Sequence, residues 1–341
     1  MSTILTIGEI TTQASELNRA LASASIQIEE LPLPHFNLTA WGELRQAIQT
    51  RQPDAIHVCG TSALRLLALC RWKGKRIVSP LLTGEEHRSW LSWVDRILLR
   101  RADHVLCWNH TEVVQCRALK VDESKSQRVM PGRSDLRQAS TISIPAFPDD
   151  ARVILCAGPL EKRFGFQEAI WAFHLLRLPL KTLRLVIVGK GSDEANLRGY
   201  ADDLGVRDVV HFVGEQVDLK PWLARAEQVW SPSRREVGSQ LVIDAMIAGR
   251  PVLANAWPHA QELIRDGETG CLTIPGDVAN LCRRAYPLLK DETKASEMGR
   301  RARAVALEHF NLEQAKVAIQ RMLNPSSLQD SESTVRLPLA G

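Results

Sequence analysis

The sequence predicts an α/β protein of two domains with parallel sheets, and three observations carry that expectation. Short apolar runs of strand length alternate with longer segments of helical period. The alternation breaks near 144–150, where Ser143, Pro145, Pro148, Asp149 and Asp150 cluster, and a fresh series opens at once with a strand over 152–157. The chain has 341 residues, and single cores divide beyond about 250 to 300 residues.

In the first half the strands are expected at Thr3–Ile7, Ala55–Val58, Arg76–Pro80, His104–Cys107 and Arg128–Met130, with helix-like segments between several of them. The second half has a plainer rhythm: strand to Ala157, helix Phe166–Leu176, strand Leu183–Val188, helix Asp193–Leu204, then strands Val209–Val213 and Gln228–Ser231. Each helix follows its strand closely, which implies right-handed crossovers. A helix over Ser239–Ala248 is closed by Gly249, and Pro251 opens the strand Pro251–Ala254. Helices follow near Asp277–Leu289 and Ala295–His309. The expected domains are 1–147 and 148–311, with a helix over 312–324 that returns to the first domain and a disordered tail from 325 to 341.

Hydrophobic residues make up 45% and charged residues 24%, the mix of a folded chain with a sizeable core. The 43 Lys and Arg against 39 Asp and Glu give a net charge of +4, too small and too dispersed for a dedicated nucleic-acid binder. Seven scattered cysteines without a C-x-x-C pair read as reduced core thiols rather than disulfides or a zinc site. The first 21 residues include Glu9 and Glu16 and no continuous apolar run, so no signal peptide is expected. With no apolar stretch of about 18 residues, a cytoplasmic protein is expected. The run Arg96–Arg101, with Ile97, Leu98 and Leu99 inside it, reads as an ordinary amphipathic helix or as a peripheral contact with anionic lipid at the inner membrane surface.

The chemistry concentrates in 231–252, Ser-Pro-Ser-Arg-Arg-Glu-Val-Gly-Ser-Gln-Leu-Val-Ile-Asp-Ala-Met-Ile-Ala-Gly-Arg-Pro-Val. A strand ends, a short loop carries Glu236 and Gly238, and a helix starts immediately. Such a helix start offers unpaired N–H groups and a positive dipole end to a diphosphate, and Gly238 lets the backbone approach it closely. Asp244, about one turn into the helix, is placed to receive ribose hydroxyls, and Glu236 to accept sugar hydroxyls. Taken alone, the two acids also read as a loop cap and an exposed helix acid.

This segment resembles the E-x7-E motif of the family-4 retaining glycosyltransferases, with Glu236 as the first acid and Asp244, one methylene shorter, as the second. Glu262, Asp266-Gly267-Glu268-Thr269-Gly270 and Gly276-Asp277 are similar to the family's continuation, and the likeness spans most of 151–310. In the first half it is limited to 53–61, 100–105 and 129–132. The resemblance implies a GT-B fold of two Rossmann-like domains facing a central cleft, with the donor held by the C-terminal one and the acceptor by the N-terminal one. It implies a hexosyltransferase-type enzyme whose partners are a nucleotide-sugar donor and a glycan, lipid-linked or small-molecule acceptor, with no cofactor and no metal. Glu236, Lys162 and Arg163 are its expected catalytic residues, and Gly158, Gly238, Ser239, Gln240, Leu241 and Asp244 its donor-binding residues.

The sequence departs from the family at several places. Its usual Arg and Lys on the diphosphate are Pro159 and Phe164 here, in Gly158-Pro-Leu-Glu-Lys-Arg-Phe-Gly165, with Lys162 and Arg163 close by. Each lost charged hydrogen bond costs about 1.5 to 3 kcal/mol, and about 1.4 kcal/mol is tenfold in rate. The glycine-rich loop after the first strand is reduced to Ile7-Gly8-Glu9, the family's His-Gly is Thr83-Gly84, and the second histidine after His57 is Cys59. A catalytically silent GT-B protein that binds a nucleotide or a partner is therefore the rival reading, and a nucleotide-sugar epimerase a weaker one. Gly189-Lys190-Gly191 lacks the third glycine of a dinucleotide fingerprint because position 194 is Glu, and reads as a tight turn. His57 reads as a core or strand-end histidine or as a catalyst, Glu262 as a cap of the helix after Pro258 or as a site residue, and Trp171 and Trp222 as packing.

Overall fold

The computed structural model describes residues 3–8, 18, 27–33, 37–79, 93–107, 110–129, 147–148, 150–216, 218–234, 240–310 and 317. The chain divides into two units, Met1–Ser134 with Phe310–Gly341, and Asp135–His309. The helix expected over 312–324 and the tail beyond it lie outside the described residues except for Val317, which is helical.

The first unit holds a six-stranded parallel sheet in the order β2-β1-β3-β4-β5-β6, formed by β1 (Thr3–Gly8), β2 (Gln27–Pro32), β3 (Ala55–Cys59), β4 (Lys75–Ser79), β5 (His104–Cys107) and β6 (Ser126–Arg128). Its helices are α1 (Leu38–Arg51), α2 (Thr61–Leu69), α3 (Trp93–Arg100) and α4 (His110–Ala118). Helix α1 starts where the Asn37 side chain accepts the Ala40 amide at 2.7 Å, a side-chain N-cap. Leu5, Ile7, Leu44, Ile56, Val58, Leu66 and Leu99 form the core. Strand β2 escaped sequence detection because it is an edge strand: Gln27, Glu29 and Glu30 replace the apolar run expected of a strand buried on both faces.

The second unit holds a parallel sheet in the order β12-β11-β10-β7-β8-β9. The strands are β7 (Arg152–Ala157), β8 (Leu183–Val188), β9 (Val210–Phe212), β10 (Ala226–Ser231), β11 (Val252–Asn255) and β12 (Cys271–Thr273). Counted within the unit this is 3-2-1-4-5-6 order, the doubly wound Rossmann arrangement. Helices α5 (Phe166–Arg177), α6 (Glu194–Asp203), α7 (Lys220–Arg225), α8 (Gln240–Ile247), α9 (Pro258–Leu263), α10 (Val278–Lys290) and α11 (Glu292–His309) complete it. Val153, Ile154, Leu155 and Cys156 of β7 are all buried, as the central strand of such a sheet requires. Trp230 is fully buried and donates its indole N–H to Gln228 Oε1 at 2.9 Å, while the Gln228 amide donates to the Ala285 carbonyl at 3.1 Å.

Two expectations need correction here. Trp222 is buried, but Trp171 is 36% exposed and stacks on His174 one turn along α5. Glu262 does not cap the start of α9, because Trp257 occupies the N-cap and Glu262 is the fifth helical residue. All seven cysteines are free thiols, and five of them are buried.

Candidate functional site

In the second unit β7 and β10 are hydrogen-bonded neighbours, yet the chain winds away from them in opposite directions. The carboxyl ends of two such strands open a crevice, the switch point where open α/β sheets take ligands. The two strand exits that border it are 158–165 and 232–234, and the site is built from them.

The β7 exit is anchored through its backbone. The Gly158 amide donates to the Val188 carbonyl at 3.0 Å, the buried Leu160 amide donates to the Lys190 carbonyl at 2.9 Å, and the Leu160 carbonyl accepts the Asp193 amide at 2.9 Å. Gly191 abuts this turn so closely that a Cβ would sit 2.3 Å from the Leu160 carbonyl oxygen. The Gly-Lys-Gly stretch is thus a packing turn that braces the β7 exit. Residues 162–164 make one 3-10 turn with Lys162 and Arg163 exposed. Among the described residues Lys162 makes no ion pair. Arg163 donates to Glu161 at 2.8 Å and lies over the Phe164 ring, 5.4 Å from its centroid. Phe164 covers Gly158 and stacks on Phe166 at 6.4 Å, so the position is spent on packing.

The two exits touch. Gly165 has φ +71°, and a Cβ there would lie 1.8 Å from the Pro232 carbonyl oxygen. The Arg234 amide donates to the Arg163 carbonyl at 2.8 Å, and the Arg234 guanidinium pairs with Glu168 of α5. From the other side the Ser233 carbonyl accepts the Asn255 side-chain amide at 2.7 Å and the Trp257 indole N–H at 2.9 Å.

Helix α8 begins at Gln240, and its leading amides, among them those of Gln240 and Leu241, are the ones a helix leaves without an internal acceptor. The Leu241 side chain is buried, so only its backbone serves a ligand. Asp244 is 6% exposed, which overturns the reading of an exposed helix acid, and its Oδ1 accepts the Gln240 side-chain amide at 3.1 Å. Glu236, Gly238 and Ser239 lie outside the described residues. The structure therefore brings Arg163 and Gly165 against the chain that leads to Glu236, with Lys162 exposed on the same turn, and places Gln240, Leu241 and Asp244 on the helix that follows. Asn255, Trp257 and the Thr273 hydroxyl, which donates to Asn255 Oδ1 at 2.7 Å, were missed. The one available signal was a polar residue closing the apolar run Val252-Leu-Ala-Asn255.

In the first unit His57 is 3% exposed on β3 with Nε2 2.8 Å from Ser79 Oγ, and burial lowers its pKa to about 4. It is a neutral core histidine at ordinary pH. Gly8 closes β1, while Glu9, Thr83 and Gly84 lie outside the described residues. Among the described residues no group of three His, Cys, Asp or Glu could hold a metal ion.

Two parallel six-stranded sheets, the second in Rossmann order with a braced switch point, define a tandem Rossmann-like protein of the GT-B class. Residues 138–305, just under half of the chain, match the glycosyl transferases group 1 family. EpsD of Bacillus subtilis, named as a glycosyltransferase, is 25% identical over 304 residues, which cover 83% of this chain and 80% of EpsD. Glycogen synthase of Mycobacterium tuberculosis is 26% identical over 302 residues, 84% of this chain and 72% of the synthase. The solved structure of HepE from Anabaena with UDP-glucose superposes with a TM-score of 0.78 at 18% identity, over 95% of this chain and 100% of HepE, a likeness of fold. The chain is a glycosyltransferase, and these relatives do not favour the catalytically silent reading.

Proposed function

We propose that this glycosyltransferase moves a hexosyl group from a nucleoside-diphosphate sugar to an acceptor hydroxyl with retention at the anomeric carbon, as family-4 enzymes do. The contact of the β7 and β10 exits at the switch point carries the reading, because it joins the turn of Lys162, which makes no ion pair among the described residues, to the chain that enters the Glu236 segment. Glu236 orients the sugar, Asp244 grips the ribose, and the backbone N–H groups of Gly238, Ser239 and Gln240, with Leu241 behind them, receive the diphosphate. Lys162, together with Arg163 once its exposed pair with Glu161 opens, stabilises the departing diphosphate charge. The C1–O bond to the diphosphate breaks, the bond from C1 to the acceptor oxygen forms on the same face, and the acceptor proton leaves with the phosphate. No metal takes part.

UDP-glucose is the first donor to try, since HepE of the same fold was solved with it. Calorimetric titration with UDP, GDP and ADP and their glucose conjugates, alongside release of the diphosphate, tests the proposal. Binding by at least one conjugate with turnover lowered about 100-fold by Glu236→Gln is expected; binding by none overturns it.

Helix α3 supports a second contact, with an anionic bilayer. Trp93 is 73% exposed and Ile97 36%, and the exposed Arg96 and Arg100 share that face at helical spacing. Flotation with vesicles containing phosphatidylglycerol is expected for the wild type and lost in Trp93→Ser with Ile97→Ser.

A further inference from the structure

The chain between β10 and the Glu236 segment is held more tightly than a surface connection needs. Three consecutive residues each have a backbone group fixed by another element. The Pro232 carbonyl rests on Gly165, the Ser233 carbonyl accepts two side-chain donors, and the Arg234 amide donates to the Arg163 carbonyl. Pro232 and Ser233 are buried although they lie just beyond the carboxyl end of β10.

The two donors on Ser233 come from β11 and the start of α9. Asn255 is 5% exposed, and its amide orientation is fixed from both ends: Oδ1 accepts the Thr273 hydroxyl at 2.7 Å while Nδ2 donates to Ser233 at 2.7 Å. A flipped amide would set oxygen against the Ser233 carbonyl, so the network admits one orientation. Thr273 is 1% exposed at the end of β12. The Trp257 backbone amide donates to the Asn255 carbonyl at 2.7 Å, which turns the indole back toward Ser233. A carbonyl with both lone pairs occupied by donors from a rigid strand end has little freedom to rotate.

We infer that Asn255 and Trp257 are positioning residues for the transfer reaction: by fixing the Ser233 carbonyl they set the direction in which the chain enters the segment that carries Glu236. The inference rests on the reading of Glu236 as the donor-orienting carboxylate. Glu236 is three residues beyond Ser233, close enough that a peptide rotation at 233 displaces its carboxylate by ångströms. Misplacement of about 1 Å is enough to cost up to 100-fold in rate. Neither residue need touch the donor for its removal to slow transfer.

Trp257→Phe deletes the indole donor and keeps a ring; Asn255→Ala removes the second donor, and should it fail to fold, Trp257→Phe alone decides. The readout is release of UDP from UDP-glucose, or of the corresponding diphosphate from GDP-glucose or ADP-glucose. Each variant is expected to lower kcat about tenfold while diphosphate affinity falls by no more than about threefold, because the Gln240 amide stands on α8, outside the 235–239 segment. Placed in a Glu236→Ala background, Trp257→Phe is expected to have no further effect, as two changes acting through one group are not additive. Wild-type kcat in both variants, or additive losses in the double variant, overturns the inference and leaves the role of Glu236 intact. If the wild type hydrolyses none of the three donors, or if Glu236→Ala is fully active, the donor reading fails on its own. Hydrogen exchange of the 235–239 amides then decides: exchange faster by about tenfold in Trp257→Phe upholds the positioning, and unchanged exchange overturns it.

Discussion

Gly165→Ala drives a methyl into the point where the two strand exits meet. The Cβ would lie 1.8 Å from the Pro232 carbonyl oxygen, well inside the 3.0 Å below which such contacts essentially never fall, so the exits must separate by about 1 Å. The residue also sits at φ +71°, where an alanine costs about 1 kcal/mol. Forcing a methyl into a packed contact adds about 1 to 3 kcal/mol. A loss of about 3 kcal/mol follows for the second unit, a fall in Tm of roughly 8 °C for a unit of that size. Turnover should fall further than stability explains, by about 100-fold, because the separation displaces Lys162 from the Glu236 segment. Gly199→Ala is the control: it lies in α6 with nothing within 4 Å of its would-be Cβ, and should raise stability by about 1 kcal/mol with the rate unchanged. Thermal melts and diphosphate release on both variants check this. A Gly165→Ala protein that melts low yet turns over at the wild-type rate would show that contact between the exits is irrelevant to transfer.

Further outcomes are expected elsewhere. Lys162→Met should lower kcat/KM about 10- to 100-fold and Arg163→Met less than about fivefold, since Arg163 is already paired with Glu161; equal losses would refute the difference. EDTA should leave the rate unchanged, and loss of activity restored by Mg2+ would refute the metal-free proposal. Arg65→Met strips the bidentate guanidinium, at 2.7 and 2.6 Å, from Asp95, which is 1% exposed, and should destabilise the first unit by about 3 kcal/mol in urea unfolding. His57 has its pKa lowered from 6.5 to about 4 by burial, so the unfolded chain binds the extra proton between those values. Stability should therefore fall as pH drops from about 6.5 to 4, by roughly 3 kcal/mol, and His57→Gln should remove that slope from the unfolding curve.

The elements legible in the sequence were those whose burial leaves a continuous apolar run. Strands β7 and β8, flanked on both faces, read as Val-Ile-Leu-Cys and Leu-Val-Ile-Val and were placed within a residue. Strand β12 has three residues and α7 six with Pro221 in its first turn, too short for either period to show. At the site the loop-helix junction was readable because Glu236, Gly238 and Asp244 have residue types with a chemical reason to be there. The contact of Gly165 with Pro232 was not, because it joins residues 67 positions apart through backbone atoms that every residue has. Asn255 and Trp257 were missed for the same reason, their partner being a main-chain carbonyl.

On the proposed donor site, the same geometry accounts for Pro159 and Phe164 where the family-4 enzymes that the sequence resembles carry cations. Phe164 lies over Gly158 and against Phe166, so the ring stiffens the turn that presents Lys162. A hydrogen bond to phosphate is lost with distance at once, but Coulomb attraction is not. At an effective dielectric of about 20, two unit charges interact by about 4 kcal/mol at 4 Å and about 2 kcal/mol at 8 Å. A lysine displaced by one turn thus keeps about half of the electrostatic stabilisation, about 30-fold in rate against none at all. That remainder depends on the cation being free of protein carboxylates. Lys162 meets the condition among the described residues and Arg163, held by Glu161, does not. The burden of orientation then shifts from charge to backbone, which accounts for three consecutive pinned residues ahead of Glu236.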